Sequence, residues 1–365
     1  MERLGACSLF HFSSSPLIMG IFDIDFENLI IKRDKVKDRT VYTIDNFYKY
    51  PRAVLNYARQ NEINAQNHTS SYPGTIVKLD PYSEEYTRHA RQFNEFLEMI
   101  GFDMDRVISD FESPIGSFSH NVYFSKYIPG LIKENQNEWE KSRQEQTANT
   151  HTDSLRHMQQ TSRLGAVCYL SKQCSGGTGL YLNKKTGEYC SRGVEMLLDY
   201  LEGKCKIKGF ESEDILSKIE RTLDKEEKTK LFDACKHEFD LKVTPSSRSG
   251  TMSKSDDLYE LLHLFPMKFN RLALYEGDLN HTSYIEDDEF WKRYDRITTN
   301  YFIQVKWGLS PTGESVEDEM ERLKSRLMRL KDATNCGDST SRSFPGVSAY
   351  IGCLVGWYDM ELNKR

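Results

Sequence analysis

Two histidines, one aspartate and one arginine carry the sharpest chemistry in this chain. His151-Thr152-Asp153 places an imidazole and a carboxylate two residues apart. In an extended segment, residues i and i+2 point the same way, so both side chains can reach one metal ion. His281 lies in the turn Asp278-Leu279-Asn280-His281-Thr282, just after the strand-like run Leu272-Ala273-Leu274-Tyr275. Arg296 opens the segment RITTNYFIQVKW. On a period of two, Ile297, Tyr301, Ile303, Val305 and Trp307 share an apolar face, while Arg296, Thr298, Asn300 and Gln304 share a polar one. Such a polar face meets solvent in an ordinary strand and lines a ligand cavity in a barrel. Two histidines and a carboxylate form the facial triad that holds Fe(II) with open positions. A 2-oxo acid chelates two of those positions and O2 takes the third. A second carboxylate, as in 2-oxoglutarate, wants a planar and permanently charged partner, which arginine supplies. Each residue alone has a plainer reading. An isolated HxD arises by chance, and an isolated turn histidine is more often packed or solvated than a ligand.

These side chains need a scaffold, and the hydrophobic pattern outlines one. Two strand-like runs fill residues 22–44 around a charged turn. Residues 45–62 read as a helix with Pro51 in its first turn and Val54, Leu55 and Ala58 on one face. A second helix is expected over 84–100, with His89, Phe93, Phe96, Leu97 and Ile100 at helical spacing. Strands follow near 117–125, 164–171 and 180–182, then again over 271–275 and 296–307. Residues 131–149 are polar and read as a loop or lid. The stretch 184–265 reads as an insertion of three short helices and a polar loop, placed to act as a lid or cap. Val316, Met320, Leu323, Leu327 and Leu330 mark a C-terminal amphipathic helix. Its stripe packs on the core or, alternatively, against a second copy in a homodimer. The expected organisation is a leader at 1–20, a main domain over 21–310 that carries the insertion, and a C-terminal helix and packing tail over 311–365.

Composition narrows the classes. With 38% hydrophobic residues among 365, there is apolar surface enough to fold. No run of about 18 apolar residues occurs, so a membrane-spanning helix is not expected. The net charge is −6, from 49 basic and 55 acidic residues, without a basic stripe, so a nucleic-acid partner is not indicated. The eight cysteines are scattered and form no CxxC pair, which fits reduced thiols. Residues 1–20 lack the unbroken apolar core of a signal peptide. A cytoplasmic location is the expectation. Gly176-Gly177-Thr178-Gly179 lacks the Lys-Ser/Thr ending of a phosphate loop and reads as a tight turn between strands.

The order of these pieces resembles the Fe(II)/2-oxoglutarate-dependent oxygenase superfamily. Within it, the chain looks like the prolyl-hydroxylase-like branch and an uncharacterised bacterial subgroup of that branch. The likeness rests on His151-Thr152-Asp153, Val167-Cys168-Tyr169-Leu170-Ser171, Gly176-Gly177-Thr178, Asn270 to Tyr275, His281 and Arg296. It extends to Asp45-Asn46-Phe47, Pro51 and Tyr72-Pro73-Gly74, and covers about half the chain. The resemblance implies a mainly β fold with flanking helices: a double-stranded β-helix (jelly-roll) core, N-terminal helices and a helical insertion. It implies that His151, Asp153 and His281 bind iron, and that Arg296 pairs with the far carboxylate of 2-oxoglutarate. Tyr169 takes the place of a tyrosine that bonds the same carboxylate, with strand packing as its alternative role. Thr298 assists from the same face as Arg296. Arg293 is a rival for the carboxylate, because the gap from His281 to Arg296 is longer than in the prolyl-hydroxylase pattern. Asp153 completes the triad, which favours hydroxylation over halogenation. The implied activity is hydroxylation of an unactivated C–H in a small molecule, amino acid or peptide side chain, with release of succinate and CO2. A non-catalytic jelly-roll binding module and a cupin-like iron oxygenase that does not use 2-oxoglutarate are the competing readings.

Overall fold

The computed structural model describes residues 20–61, 66–67, 74–80, 82–102, 120–127, 161–190, 194–205, 213–222, 224–243, 255, 259–286, 288–306 and 316–334. Two antiparallel sheets dominate them. The large sheet holds β1 (Ile30–Val36), β2 (Arg39–Asp45), β3 (Gln66–Asn67), β4 (Gly74–Lys78), β5 (His120–Tyr127), β6 (Thr161–Tyr169), β9 (Arg271–Glu276) and β11 (Arg296–Lys306). Their spatial order is β1-β2-β9-β6-β11-β5-β4-β3. The small sheet holds β7 (Gly177–Asn183), β8 (Tyr259–Pro266) and β10 (His281–Tyr284), in the order β10-β7-β8.

The large sheet is covered on both faces, so β9 runs through four successive buried residues, Leu272 to Tyr275. One face packs on α1 (Pro51–Asn61) and α2 (Glu84–Met99), with Phe47, Phe93, Phe96 and Leu97 meeting Cys168, Leu272, Leu274, Ile297, Tyr301 and Ile303. The other face meets the small sheet, where Val41, Ala273 and Tyr275 join Leu180 and Phe265. Ser83 caps α2 by accepting from the Tyr86 amide at 3.1 Å, and Glu84 and Glu85 favour its positive end. At the start of β7, Gly176 and Gly177 have φ of +69° and +156°. A Cβ there would overlap the backbone carbonyls of Tyr284 and Phe265, so glycine lets three chains approach. The turn expected at these glycines is thus the entry to a strand wedged between two others.

Four helices form a separate body: α3 (Val194–Leu201), α4 (Ile215–Arg221), α5 (Lys225–Val243) and α7 (Val316–Thr334). Leu198, Leu201, Leu216, Ile219 and Phe232 pack there with Leu323, Leu327 and Leu330. The C-terminal stripe is therefore covered by the insertion helices within the chain. Arg326 fixes the arrangement from α7, reaching Asp199 at 2.6 Å and Glu202 at 2.9 Å.

Several expected boundaries move. The helix expected over 45–62 begins at Pro51, because Asp45 ends β2 and is held by Arg271 and by Lys268 at 2.8 Å, and Asn46 turns the chain at φ +59°. The helical insertion does not extend to residue 265. Residues 259–266 form β8, which pairs with β7 on both sides of a bulge at Leu262. YELLHLFP is a short apolar run, and periodicity alone does not separate such a run from a helix. No helix among the described residues is long and apolar enough to cross a membrane.

Candidate active site

The space between the sheets receives one face of β11. Its first residues are pinned to the end of β6: Leu170 donates to the Ile297 carbonyl at 2.9 Å, and the Ile297 amide donates to Ser171 Oγ at 2.8 Å. This anchoring fixes which side chains turn inward. Ile297, Tyr301 and Ile303 enter the helix-side core, as their period predicts. Arg296 and Thr298 face the other way, yet they are only 2% and 1% exposed. At Arg296 and Thr298 the polar face of β11 is thus interior rather than solvated.

Arg296 has an unusual environment. Its Nη2 donates to the Gly177 carbonyl at 3.2 Å, and its Nε has no hydrogen-bond partner. No carboxylate of the described residues forms an ion pair with it. A buried guanidinium normally has an anionic partner, because removing the charge from water costs several kcal/mol, of the order seen for other buried ions. Arg293, its sequence rival, is exposed at the end of α6 (Asp288–Arg293). Beside Arg296, Thr298 Oγ1 lies 3.2 Å from Asn300 Oδ1 and 3.4 Å from Ser125 Oγ, and the Asn300 amide donates to Ser125 in turn. Ser125 on β5 gave no signal in the sequence. It is found only through its register opposite Thr298.

Tyr169 stands opposite Thr298 on β6 and is fully buried. Its hydroxyl lies 2.8 Å from Thr178 Oγ1 and 3.3 Å from the Phe265 carbonyl oxygen. Burial pushes its pKa up to about 12, although Thr178 and the Arg296 charge pull it down. The phenol is neutral and tied to the small sheet.

His281 is the first residue of β10 and is 5% exposed. Its ring lies against Tyr275 with centroids 4.8 Å apart, and Nδ1 is 2.8 Å from the Leu279 carbonyl oxygen. A proton on Nδ1 satisfies that carbonyl and makes Nε2 the nitrogen with the lone pair, the one that would coordinate a metal. Metal-binding histidines are usually oriented in this way. The preceding turn is tightly held. Arg39 on β2 bonds Glu276 and reaches Asp278 at 3.3 Å, and Asp278 is completely buried. Neither Arg39 nor Asp278 was singled out by spacing, since Arg39 sits in what reads as an ordinary charged turn.

The structure thus brings Arg296, Thr298 and Tyr169 together on one interior face and places His281 on the facing sheet. His151 and Asp153 lie outside the described residues. Among the described residues no cluster of three or more His, Cys, Asp or Glu could hold a metal ion. The buried Nε of Arg296 fits a carboxylate-bearing ligand, and the imidazole of His281 fits one position of a metal. A family model described as a family of unknown function (DUF6445) matches residues 216–303. That segment carries β8, β9, β10, His281 and Arg296, and leaves out the HxD. No curated protein matches the chain.

Proposed function

We propose that this protein is an Fe(II)/2-oxoglutarate-dependent oxygenase built on a double-stranded β-helix. Strand placement supports the fold: β6, β9 and β11 belong to one sheet, and β7, β8 and β10 to the other. From β6 the chain crosses to β7 and β8, returns to β9, crosses to β10 and returns to β11, as in a jelly roll, and the helical insertion sits between β7 and β8. The buried Arg296 guanidinium, without a carboxylate partner among the described residues, carries the reading. His281 would hold the metal with His151 and Asp153. Arg296 would receive the far carboxylate of the co-substrate, with Thr298 beside it. The apolar walls of Val167, Ala273, Tyr275 and Leu180 would exclude water from the reacting centre. Bound Fe(II) and 2-oxoglutarate would supply the activation of O2 for hydroxylating a C–H bond, with succinate and CO2 released.

The test is an anaerobic titration of the Fe(II)-loaded protein with 2-oxoglutarate, read by the visible metal-to-ligand charge-transfer band. The wild type should develop the band, Asp153→Ala should lose it, and Arg296→Ala should need more co-substrate. Bound iron without a band would favour a cupin-like oxygenase. A folded protein that binds no iron would favour a non-catalytic binding module.

A further inference from the structure

The β1–β2 hairpin lies beyond the strands that enclose the candidate site, yet its tip reaches the turn that carries His281. Lys37 turns the hairpin at φ +58°, which brings Asp38 and Arg39 against two other segments. Arg39 is buried and spans both carboxylates of the β9–β10 turn, bonding Glu276 and lying 3.3 Å from Asp278. From the other side the insertion holds the same turn. The Asn280 amide donates to the Tyr189 carbonyl at 2.8 Å, Asn280 Nδ2 donates to the Glu188 carbonyl at 3.1 Å, and Cys190 forms a bridge with Leu279. Tyr189 closes the ring by donating to Asp38 at 2.5 Å. The peptide caught between these two holds is Leu279, and its carbonyl orients the His281 imidazole at 2.8 Å.

We infer that Arg39 and Asp278 are positioning residues for the metal centre, setting the direction of His281 through the Leu279 carbonyl. The inference rests on the reading of His281 as an iron ligand. Outer partners of metal-bound histidines commonly change metal affinity by 10–100-fold. Glu276 and Asp38 also contact Arg39, so the hairpin tip keeps other contacts when Asp278 is neutralised. Asp278→Asn keeps the side-chain shape and removes the charge that draws Arg39 onto the turn.

The experiment titrates Co(II), as an anaerobic stand-in for Fe(II), into the full chain and its variants, and follows the visible d–d bands beside thermal melting without metal. Asp278→Asn should bind Co(II) about tenfold more weakly with altered band positions. Its metal-free melting temperature should stay near that of the wild type. Arg39→Lys keeps the charge but loses the fork that spans two carboxylates, and should fall between the two. Wild-type affinity and bands in Asp278→Asn, with binding abolished in His281→Ala, would overturn the positioning role and leave the iron site standing. Unchanged Co(II) binding in His281→Ala would overturn both.

Discussion

The two faces of β11 use polar groups in opposite ways. On the helix side, Tyr301 bonds Tyr48 and lies 3.1 Å from His89 Nε2, while His89 Nδ1 lies 2.9 Å from the Phe22 carbonyl. These rings sit among Phe47 and Phe93, and the imidazole and both phenols have partners. On the facing side, five residues away along the same strand, Arg296 keeps a buried nitrogen without one. Satisfied polar groups in a core lock one packing in place. A buried charged donor left over is a cost that folding alone does not recover, and under the proposed function the co-substrate carboxylate meets it. On that reading the helix side, where the neutral Thr299 hydroxyl is the unpartnered group of β11, serves stability, and the sheet-to-sheet side with its unpartnered guanidinium nitrogen serves binding.

Truncation on the helix side should give the largest effect. Tyr301→Ala removes a fully buried ring and leaves His89 and Tyr48 short of a partner. A loss of about 3–5 kcal/mol in urea unfolding is expected. A loss below about 1 kcal/mol would break the contrast between the faces.

Acid should expose the same face next. Burial holds the His89 pKa down at about 4, against an ordinary 6.5. Between those values the unfolded chain takes up a proton that the native imidazole refuses, so stability is present above pH 6.5 and declines as pH falls toward 4. The decline from this one group amounts to about 3 kcal/mol. Urea midpoints across that range should show the slope, and His89→Gln, which has nothing to protonate there, should flatten it.

The facing side should respond in binding instead. Arg296→Met fills similar space without a buried charge, and such replacements are often neutral or stabilising. Under the proposed function it should weaken 2-oxoglutarate about 100-fold, equivalent to about 2.7 kcal/mol, with no loss of stability. The charge-transfer titration and urea unfolding measured on one preparation would show both. Destabilisation comparable to Tyr301→Ala would mean that Arg296 is a structural residue.

How legible this contrast was in the sequence differs by element. The alternation in RITTNYFIQVK separated the two faces of β11 correctly, because a strand buried on both sides still has a period of two. It did not reveal that the polar face is buried at Arg296 and Thr298. That depends on β7 and β8 lying over it, and β8 comes after a helical insertion whose apolar run masks the change of period. The helices were legible where apolar spacing was long, as at Phe93, Phe96 and Leu97 in α2. The partnership of α7 with the insertion joins distant segments, such as Arg326 and Asp199, which are 127 residues apart, and leaves no local mark. His281 and Arg296 stood out by type and order. The hold of Arg39 on Asp278 links residues 239 apart in sequence, and nothing in either neighbourhood announces it.

Tyr169 gives the smallest effect and the finest test, since it lies on the binding face but is bonded like a residue of the stabilising one. Its hydroxyl is engaged by Thr178 and the Phe265 carbonyl, and so ties β6 to the small sheet. Tyr169→Phe keeps the ring in place and removes that tie, which should cost about 1 kcal/mol. A phenol occupied in this way has little left to offer a carboxylate. The 2-oxoglutarate titration should therefore shift by less than about threefold, against about 100-fold for Arg296→Met. A larger shift without loss of stability would return the hydroxyl to the co-substrate. The division between the faces would then follow the sheet surface itself rather than the partners each side chain has found.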